Sequence, residues 1–533
     1  MITMKIVLIG LDGATWKLIE PWALSGKLPT FKKLIIDGAC GILKSTLPPI
    51  SPTAWTSIFS GLKPTKHHVW SVITFDGKTY TVKPLFSHDI NVPMIWNVLS
   101  YLRIRGVYMN IPFYYPPPRI NGIFISGFGT PNRSSRFTYP LYLREEILGL
   151  FPDYDIDYRE DSIPIEGIEA ASRIFRITQA QMEAFMHIFK NEQKKSQLFI
   201  FVIRSPDVVQ HFFWTEKRII LHFYKQIDLF LHKIVRNLDK DDILILCSDH
   251  GFRTVDKKVY LVNILENLGI LRIKKDQINS FFYEGLLNSK IYKSLLERSK
   301  RLIRELFSRH ASLSILSKII KSTPFSEITY MGLVDWYSTL AYYLPGSYGV
   351  IRINLKEREG KGIITSHNFD AIRKEIIESL LAIKEEESGE KVFEIVKTCE
   401  AIYGECNDAD IILYTKEGYG IAEGFNIRKK LIERMYPING GHDLEGIICV
   451  YGRSIPSTRL RDLETWDVAA LLYYLLGIEP AKMGIDGRVP KELSNIETSC
   501  NYQYHYGRMK LMFNIESIKK KLKSMRSNHY EKF

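Results

Sequence analysis

A chain of 533 residues, 45% hydrophobic and 25% charged, has the composition of a folded globular protein with a large core, which excludes a disordered or fibrous chain. The 72 Lys and Arg outnumber the 59 Asp and Glu, and the net charge of +13 favours anionic partners such as phosphate esters, nucleic acid or an acidic membrane surface. No apolar run approaches the ~20 residues of a membrane-spanning helix, and the N-terminus has no signal-peptide pattern. Six scattered cysteines without a CxxC pair do not read as a disulfide framework, although Cys399 and Cys406 are close enough to pair locally. The expected setting is soluble and cytoplasmic.

Residues 4–10 are apolar and β-branched and predict a buried first strand, with Asp12-Gly13 at its carboxyl end. Residues 168–192 and 216–238 carry helical apolar spacing. Between them residues 197–203 predict a strand that leads toward Asp207. Residues 242–247 predict another, which delivers Ser248-Asp249-His250-Gly251. Strands alternating with helices predict an α/β fold: a mainly parallel sheet with helices on both faces. Residues 270–340 break this rhythm with Arg298, Lys300, Arg301, Arg304 and Arg309 among leucines and isoleucines, a basic helical cap insert. Strand pattern resumes at 347–354. Residues 368–415 then read as helix, strand, strand, a small α+β subdomain. Residues 445–452 predict a strand just after His442, and residues 464–477 a helix that ends at Gly477. The division expected is a discontinuous catalytic domain (1–269 and 341–495), the insert (270–340) and a basic tail (496–533).

Short acid- and His-bearing segments punctuate these elements: Asp12-Gly13, Ser51-Pro52-Thr53, Asp207 with His211, Asp249-His250, and Gly440-Gly441-His442. Each has a plain alternative. An Asp after a strand is often a helix N-cap, an i,i+4 Asp/His pair is often a solvated helix face, and a His after two glycines can be only a turn residue. Together they supply three Asp, three His and a hydroxyl at predicted strand ends and loops, where sites in open α/β sheets belong. Two divalent cations with about three protein ligands each need that inventory.

These segments resemble the alkaline phosphatase superfamily, in its type I phosphodiesterase/nucleotide pyrophosphatase branch. Residues 9–13 resemble the first metal-Asp segment and residues 48–57, with Gly61 and Pro64, the nucleophile segment. Residues 205–211 resemble the Asp-x-x-x-His motif, 247–252 the Ser-Asp-His-Gly-Phe motif, 440–442 the last metal His, and 485–488 the closing signature. The resemblance implies an alkaline phosphatase-like fold and two divalent metal ions, Zn²⁺ foremost, with Mn²⁺ or Fe²⁺ compatible. It implies that Asp12, Ser51, Asp249 and His250 hold one ion and that Asp207, His211 and His442 hold the other. It also implies a covalent intermediate on a hydroxyl, which register places on Ser51, with Thr53 two residues on as the rival. The implied substrate is a small anionic phosphate ester, such as a nucleotide, cleaved at a phosphodiester or pyrophosphate bond. Two departures stand out. Val72 falls where the nucleotide pyrophosphatases carry a phosphate-contacting Asn, and His67-His68 replaces the usual His-Gly. A phosphomonoesterase or phosphotransferase of the same superfamily is the alternative enzyme. A non-catalytic basic anion-binding protein is the alternative of another class, although no nucleic-acid motif accompanies the aromatic residues.

Overall fold

The computed structural model describes residues 4–158, 167–274, 330–422, 424, 426 and 430–496. The predicted basic helix of the insert and the basic tail beyond Ile496 lie outside the described residues. Among those described, the main sheet has nine strands. Their order is Thr458–Glu464, Ala39–Lys44, Glu445–Tyr451, Ile243–Cys247, Ile6–Leu11, Leu198–Ile203, Gly106–Ile111, Gly122–Ser126 and Thr138–Tyr139. Ile6–Leu11 lies at the centre and pairs in parallel with both Leu198–Ile203 and Ile243–Cys247.

Alternate residues of this central strand enter different cores. Ile6 and Leu8 pack with Trp55, Ile58, Phe59 and Leu471 on one face. Val7, Ile9 and Leu11 pack with Ile19, Phe31, Phe185 and Phe230 on the other. A strand covered on both faces must be apolar throughout, which is why residues 6–11 show no polar alternation. Full burial of each large aliphatic side chain contributes roughly 1.5–3 kcal/mol, so a charge at any of these positions would break the sheet at its centre. The covering helices include Gly167–Glu192, Lys217–Arg236 and Asp467–Leu475, the last followed by Gly477 at φ 72°. The mainly parallel α/β sheet with helices on both faces is therefore the fold that the residue pattern predicts. Glu445–Tyr451 differs from the parallel neighbours, running antiparallel to both Ala39–Lys44 and Ile243–Cys247. It follows the preceding strand without a crossover helix, so nothing holds it to the parallel direction.

A second, antiparallel sheet has the order Ala341–Tyr343, Val350–Ile353, Ile411–Thr415, Phe393–Thr398. Helix Phe369–Leu381 packs on it, and Tyr342, Ile351, Leu380 and Leu413 share its core. Ile270, Leu271, Tyr330 and Val334 belong to that same core, so both described flanks of the insert are rooted in this subdomain. A three-stranded sheet sets Gly251–Val259 between Gly418–Ile421 and Ile432–Asp443.

The cysteine expectation is corrected. Cys40 and Cys449 stand opposite each other in paired strands and form a disulfide, as do Cys399 and Cys406, while Cys247 is buried and free. The first pair is separated by 409 residues. Only the strand register brings its members together, and cysteine spacing carries no trace of that. Among the described residues no helix is long and apolar enough to cross a membrane.

Candidate metal centre

Three adjacent parallel strands deliver the acidic residues from their carboxyl ends, the place where open α/β sheets bind ligands. Asp12 directly follows Ile6–Leu11, and Asp249 and His250 follow Ile243–Cys247. Helix Ser205–Phe212, just beyond Leu198–Ile203, carries Asp207 and His211 one turn apart, on one face. Ser51 opens helix Ser51–Ser60, whose second residue, Pro52, gives up an N–H that no helix bond would use. His442 lies opposite Phe252 near the end of strand Ile432–Asp443. It is thus part of a ladder rather than of a turn.

All seven residues named as metal ligands from sequence come together. Asp207 Oδ1 is 3.2 Å from His211 Nε2 and 3.5 Å from His442 Nε2, and the two imidazole nitrogens are 3.0 Å apart. His250 Nε2 is 3.7 Å from Asp12 Oδ1, 3.4 Å from Asp249 Oδ2 and 3.2 Å from Ser51 Oγ. Ser51 Oγ is 3.5 Å from Asp12 Oδ1. Asp207, His211 and His442 form one set with ligand atoms within 4.8 Å of one another, and Asp12, Asp207 and His250 form a second, so Asp207 faces both. The rings of His250 and His442 stack at 3.8 Å between centroids and close the gap between the sets.

Backbone carbonyls fix how the histidines present themselves. A carbonyl only accepts, so each ring must donate from Nδ1: His211 to Gly440 O at 3.1 Å, His442 to Pro49 O at 2.8 Å, and His250 to Gly251 O at 3.0 Å. Every Nε2 is thereby turned toward the carboxylates, the orientation that outer partners impose on metal-binding histidines. Facing each other at 3.0 Å, His211 and His442 Nε2 have room for at most one proton between them. Asp207 Oδ1 and Asp249 Oδ2 are buried without a hydrogen-bond partner among the described residues. Unpaired lone pairs converging in a buried site are costly alone and suit a divalent cation.

The electrostatics follow from the crowding of acids. Burial pushes the Asp12 carboxyl well above the usual carboxylate range, helped by Asp249 and Asp207. Burial also raises Asp249, to about 7. Burial acts on Asp207 in the same sense, but the His211 and His442 rings outweigh it and hold that carboxyl well below the usual range. Burial keeps His250 neutral far below ordinary histidine pH.

The two candidate nucleophiles separate in space. The Ser51 hydroxyl lies among the ligand atoms. Thr53 Oγ1 is fully buried with no partner among the described residues. The loop before Ser51 is held from two sides: from outside the main sheet the Tyr403 hydroxyl bonds both N–H and C=O of Leu47, and at the sheet's own edge of the site Ser45 Oγ donates to Asp249 O at 2.7 Å. Beyond the helix, the closing signature meets the nucleophile segment directly. Asp486 and Gly487 donate their N–H groups to Gly61 O, and Asp486 Oδ2 accepts from Lys63 N.

A cavity of about 240 Å³ adjoins the site and is lined by Tyr158, Arg204, Asp207, His211, Phe212 and Tyr348, among others. Arg204, a cation in this lining, bonds Asp157 at 2.5 Å and lies 3.9 Å from Asp207 Oδ2. Sequence reasoning missed Arg204. It also missed Trp55, which donates to Asp12 Oδ2 at 3.1 Å, and Gln210. The i,i+3 spacing of Arg204 from Asp207, and of Gln210 within the same helix, was the available signal. The carbonyls that orient the histidines leave none in the sequence.

Residues 6–443 match the family model described as type I phosphodiesterase / nucleotide pyrophosphatase. No curated protein matches the chain. The matched span starts at the strand that delivers Asp12 and ends one residue beyond His442, and a match over most of the chain shows that it belongs to the type I phosphodiesterase/nucleotide pyrophosphatase family of the alkaline phosphatase superfamily.

Proposed function

We propose that this chain is a metal-dependent hydrolase of phosphodiester or pyrophosphate bonds that works through a covalent intermediate on Ser51. The carrying observation is the convergence of three oriented Nε2 atoms with the unpartnered oxygens of Asp207 and Asp249 beside the Ser51 hydroxyl. Asp207, His211 and His442 would hold one divalent cation, and Asp12, Asp249, His250 and Ser51 the other. When bound, such a pair supplies positive charge for the phosphoryl oxygens and lowers the pKa of a coordinated hydroxyl.

The chain's own groups do the rest. Ser51 Oγ attacks phosphorus, the bond from phosphorus to the leaving oxygen breaks, and the electron pair departs with that oxygen. Water then cleaves the Oγ–P bond and regenerates the hydroxyl. Ser51 heads a ten-residue helix, whose N-terminal dipole favours the anion that collects there. Trp55 and the Gly13 N–H each occupy one carboxylate oxygen, of Asp12 and Asp249 respectively. Among the described residues Arg204 presents the one guanidinium in the adjoining cavity, on the side of Asp207.

Purified full-length protein assayed on chromogenic phosphate mono- and diesters with Zn²⁺, Mn²⁺ and Fe²⁺ tests the reading. Metal-dependent turnover that favours the diester is expected. A preference for the monoester would replace this reading with the phosphomonoesterase one, and no hydrolysis with any metal would defeat both.

A further inference from the structure

Gln210 stands between Asp207 and His211 on the same helix and is wholly buried, at 0% exposure. A buried amide is costly unless both of its ends are satisfied. Here both are. Gln210 Nε2 donates to the Gly13 carbonyl at 2.8 Å, and the Tyr224 hydroxyl donates to Gln210 Oε1 at 3.4 Å. The Gly13 carbonyl can only accept, which fixes the amide orientation. Gly13 is held at its other backbone group too, since its N–H donates to Asp249 Oδ1 at 3.1 Å. Its φ is 67°, and a Cβ there would come within 2.9 Å of Phe252 and 3.2 Å of the Asp207 Cα. The turn after Asp12 is therefore packed closely against the helix that carries Asp207 and is tied to it by the Gln210 bond.

This arrangement has a chemical result. The Gly13 N–H occupies Asp249 Oδ1, and Oδ2, 3.4 Å from His250 Nε2, has no hydrogen-bond partner among the described residues. That N–H and the carbonyl gripped by Gln210 belong to the same residue, so the grip bears on where the N–H points. We propose that Gln210 is a positioning residue. It locks the Asp12–Gly13 turn to the Asp207/His211 helix and so determines which Asp249 oxygen is free for the cation of the Asp12–Asp249–His250 set. The inference rests on the two-metal reading given above.

The test is a calorimetric titration of full-length, metal-stripped protein with Zn²⁺. Gln210→Met keeps the length and apolar bulk of the side chain and removes the amide. Placed in a His442→Ala background it reports on the Asp12–Asp249–His250 set, and in an Asp249→Asn background on the Asp207–His211–His442 set. Loss of an outer partner weakens metal binding about 10- to 100-fold. That loss is expected in the first background, with affinity unchanged in the second. Gln210→Glu keeps the acceptor for Tyr224 but loses the donor to Gly13, and it should weaken the same set. It serves as the second variant should Gln210→Met unfold, as thermal melting of the metal-free chains would reveal. Equal weakening in both backgrounds would mean general loosening of the fold and would overturn the proposal, as would no weakening in either. A wild-type chain that takes up no ion would overturn the two-metal reading and this inference together. Two ions bound equally well by wild type and by Gln210→Met would overturn this inference alone.

Discussion

At the scale of single residues, the competition between Ser51 and Thr53 can be decided by removing each hydroxyl. Ser51 Oγ touches His250 and Asp12, whereas Thr53 Oγ1 is sealed in the core without a partner among the described residues. Ser51→Ala should therefore reduce diester turnover by at least about 10³-fold, since it removes the proposed nucleophile. Thr53→Val keeps shape and burial while discarding a hydroxyl that gains nothing from its surroundings, so it should leave turnover close to wild type and stability unchanged or slightly raised. Steady-state rates and melting temperatures of the two variants check this, and the reverse ranking would move the nucleophile to Thr53. The positions of Asp12, Asp207, Asp249 and His250 were legible in the sequence because each follows a run of buried-strand residues, and strand ends are where such sheets place chemistry. His442 was legible only through its company. The two glycines before it read as a turn, but the structure uses Gly440 for close approach: a Cβ there would lie 2.6 Å from the Gln210 carbonyl oxygen and 2.7 Å from the Phe252 ring. That constraint comes from a strand pairing across nearly two hundred residues, and local pattern does not encode it.

At the scale of elements, the nucleophile helix owes its placement to a buried histidine at its far end. His67 Nδ1 accepts from Val69 N at 3.1 Å, which leaves Nε2 to donate to Ser57 Oγ at 2.9 Å, so the ring clamps helix Ser51–Ser60 to the turn that follows. Burial, with a smaller push from His68, lowers its pKa from 6.5 to about 3. The folded-state value lies below the unfolded one. The stability contributed by the neutral ring is therefore complete above about 6.5 and is lost as pH falls toward about 3, because the unfolded chain takes up the proton first. His67→Asn retains an acceptor for Val69 and gives up the bond to Ser57. It should be destabilised at pH 7 by about 1–3 kcal/mol, and the gap from wild type should narrow as the pH is lowered toward 4. Urea midpoints of both proteins across that range measure it, and a gap that stays constant would show that the ring does not titrate with folding. The sequence showed His67 only as the histidine of a family His-Gly pair whose glycine is His68 here. Its partners lie within the same local segment, but its role depends on a burial that no spacing announces.

At the scale of the whole molecule, the candidate ligands come from positions 12 to 442 and tie the central sheet to the strand that ends at Asp443. Cations held there would bridge these elements. Without them the site gathers buried carboxylates that repel one another, with Asp249 raised to about 7 and Asp12 raised well above its ordinary range by burial. Folded-state values above the unfolded value of 3.8 mean that the protonated acids contribute stability at low pH, and that this contribution is lost as pH rises through about 7. Cations bind the deprotonated acids, so their stabilisation must grow over the same interval. Compared with Asp249→Asn, a comparison that cancels the opposite slope of the buried histidines, the chelated full-length chain should lose melting temperature between about pH 4 and pH 7, and added Zn²⁺ or Mn²⁺ should reverse the loss. Each ion at a hundred times its dissociation constant adds about 2.7 kcal/mol. Asp249→Asn removes one of the repelling charges and one ligand at once. It should raise the melting temperature of the chelated chain at pH 8 and shrink the gain on adding metal, a pairing that damage to the core would not produce. Identical melting with and without metal at pH 8 would remove the physical basis for cations in this site, however well its residues converge.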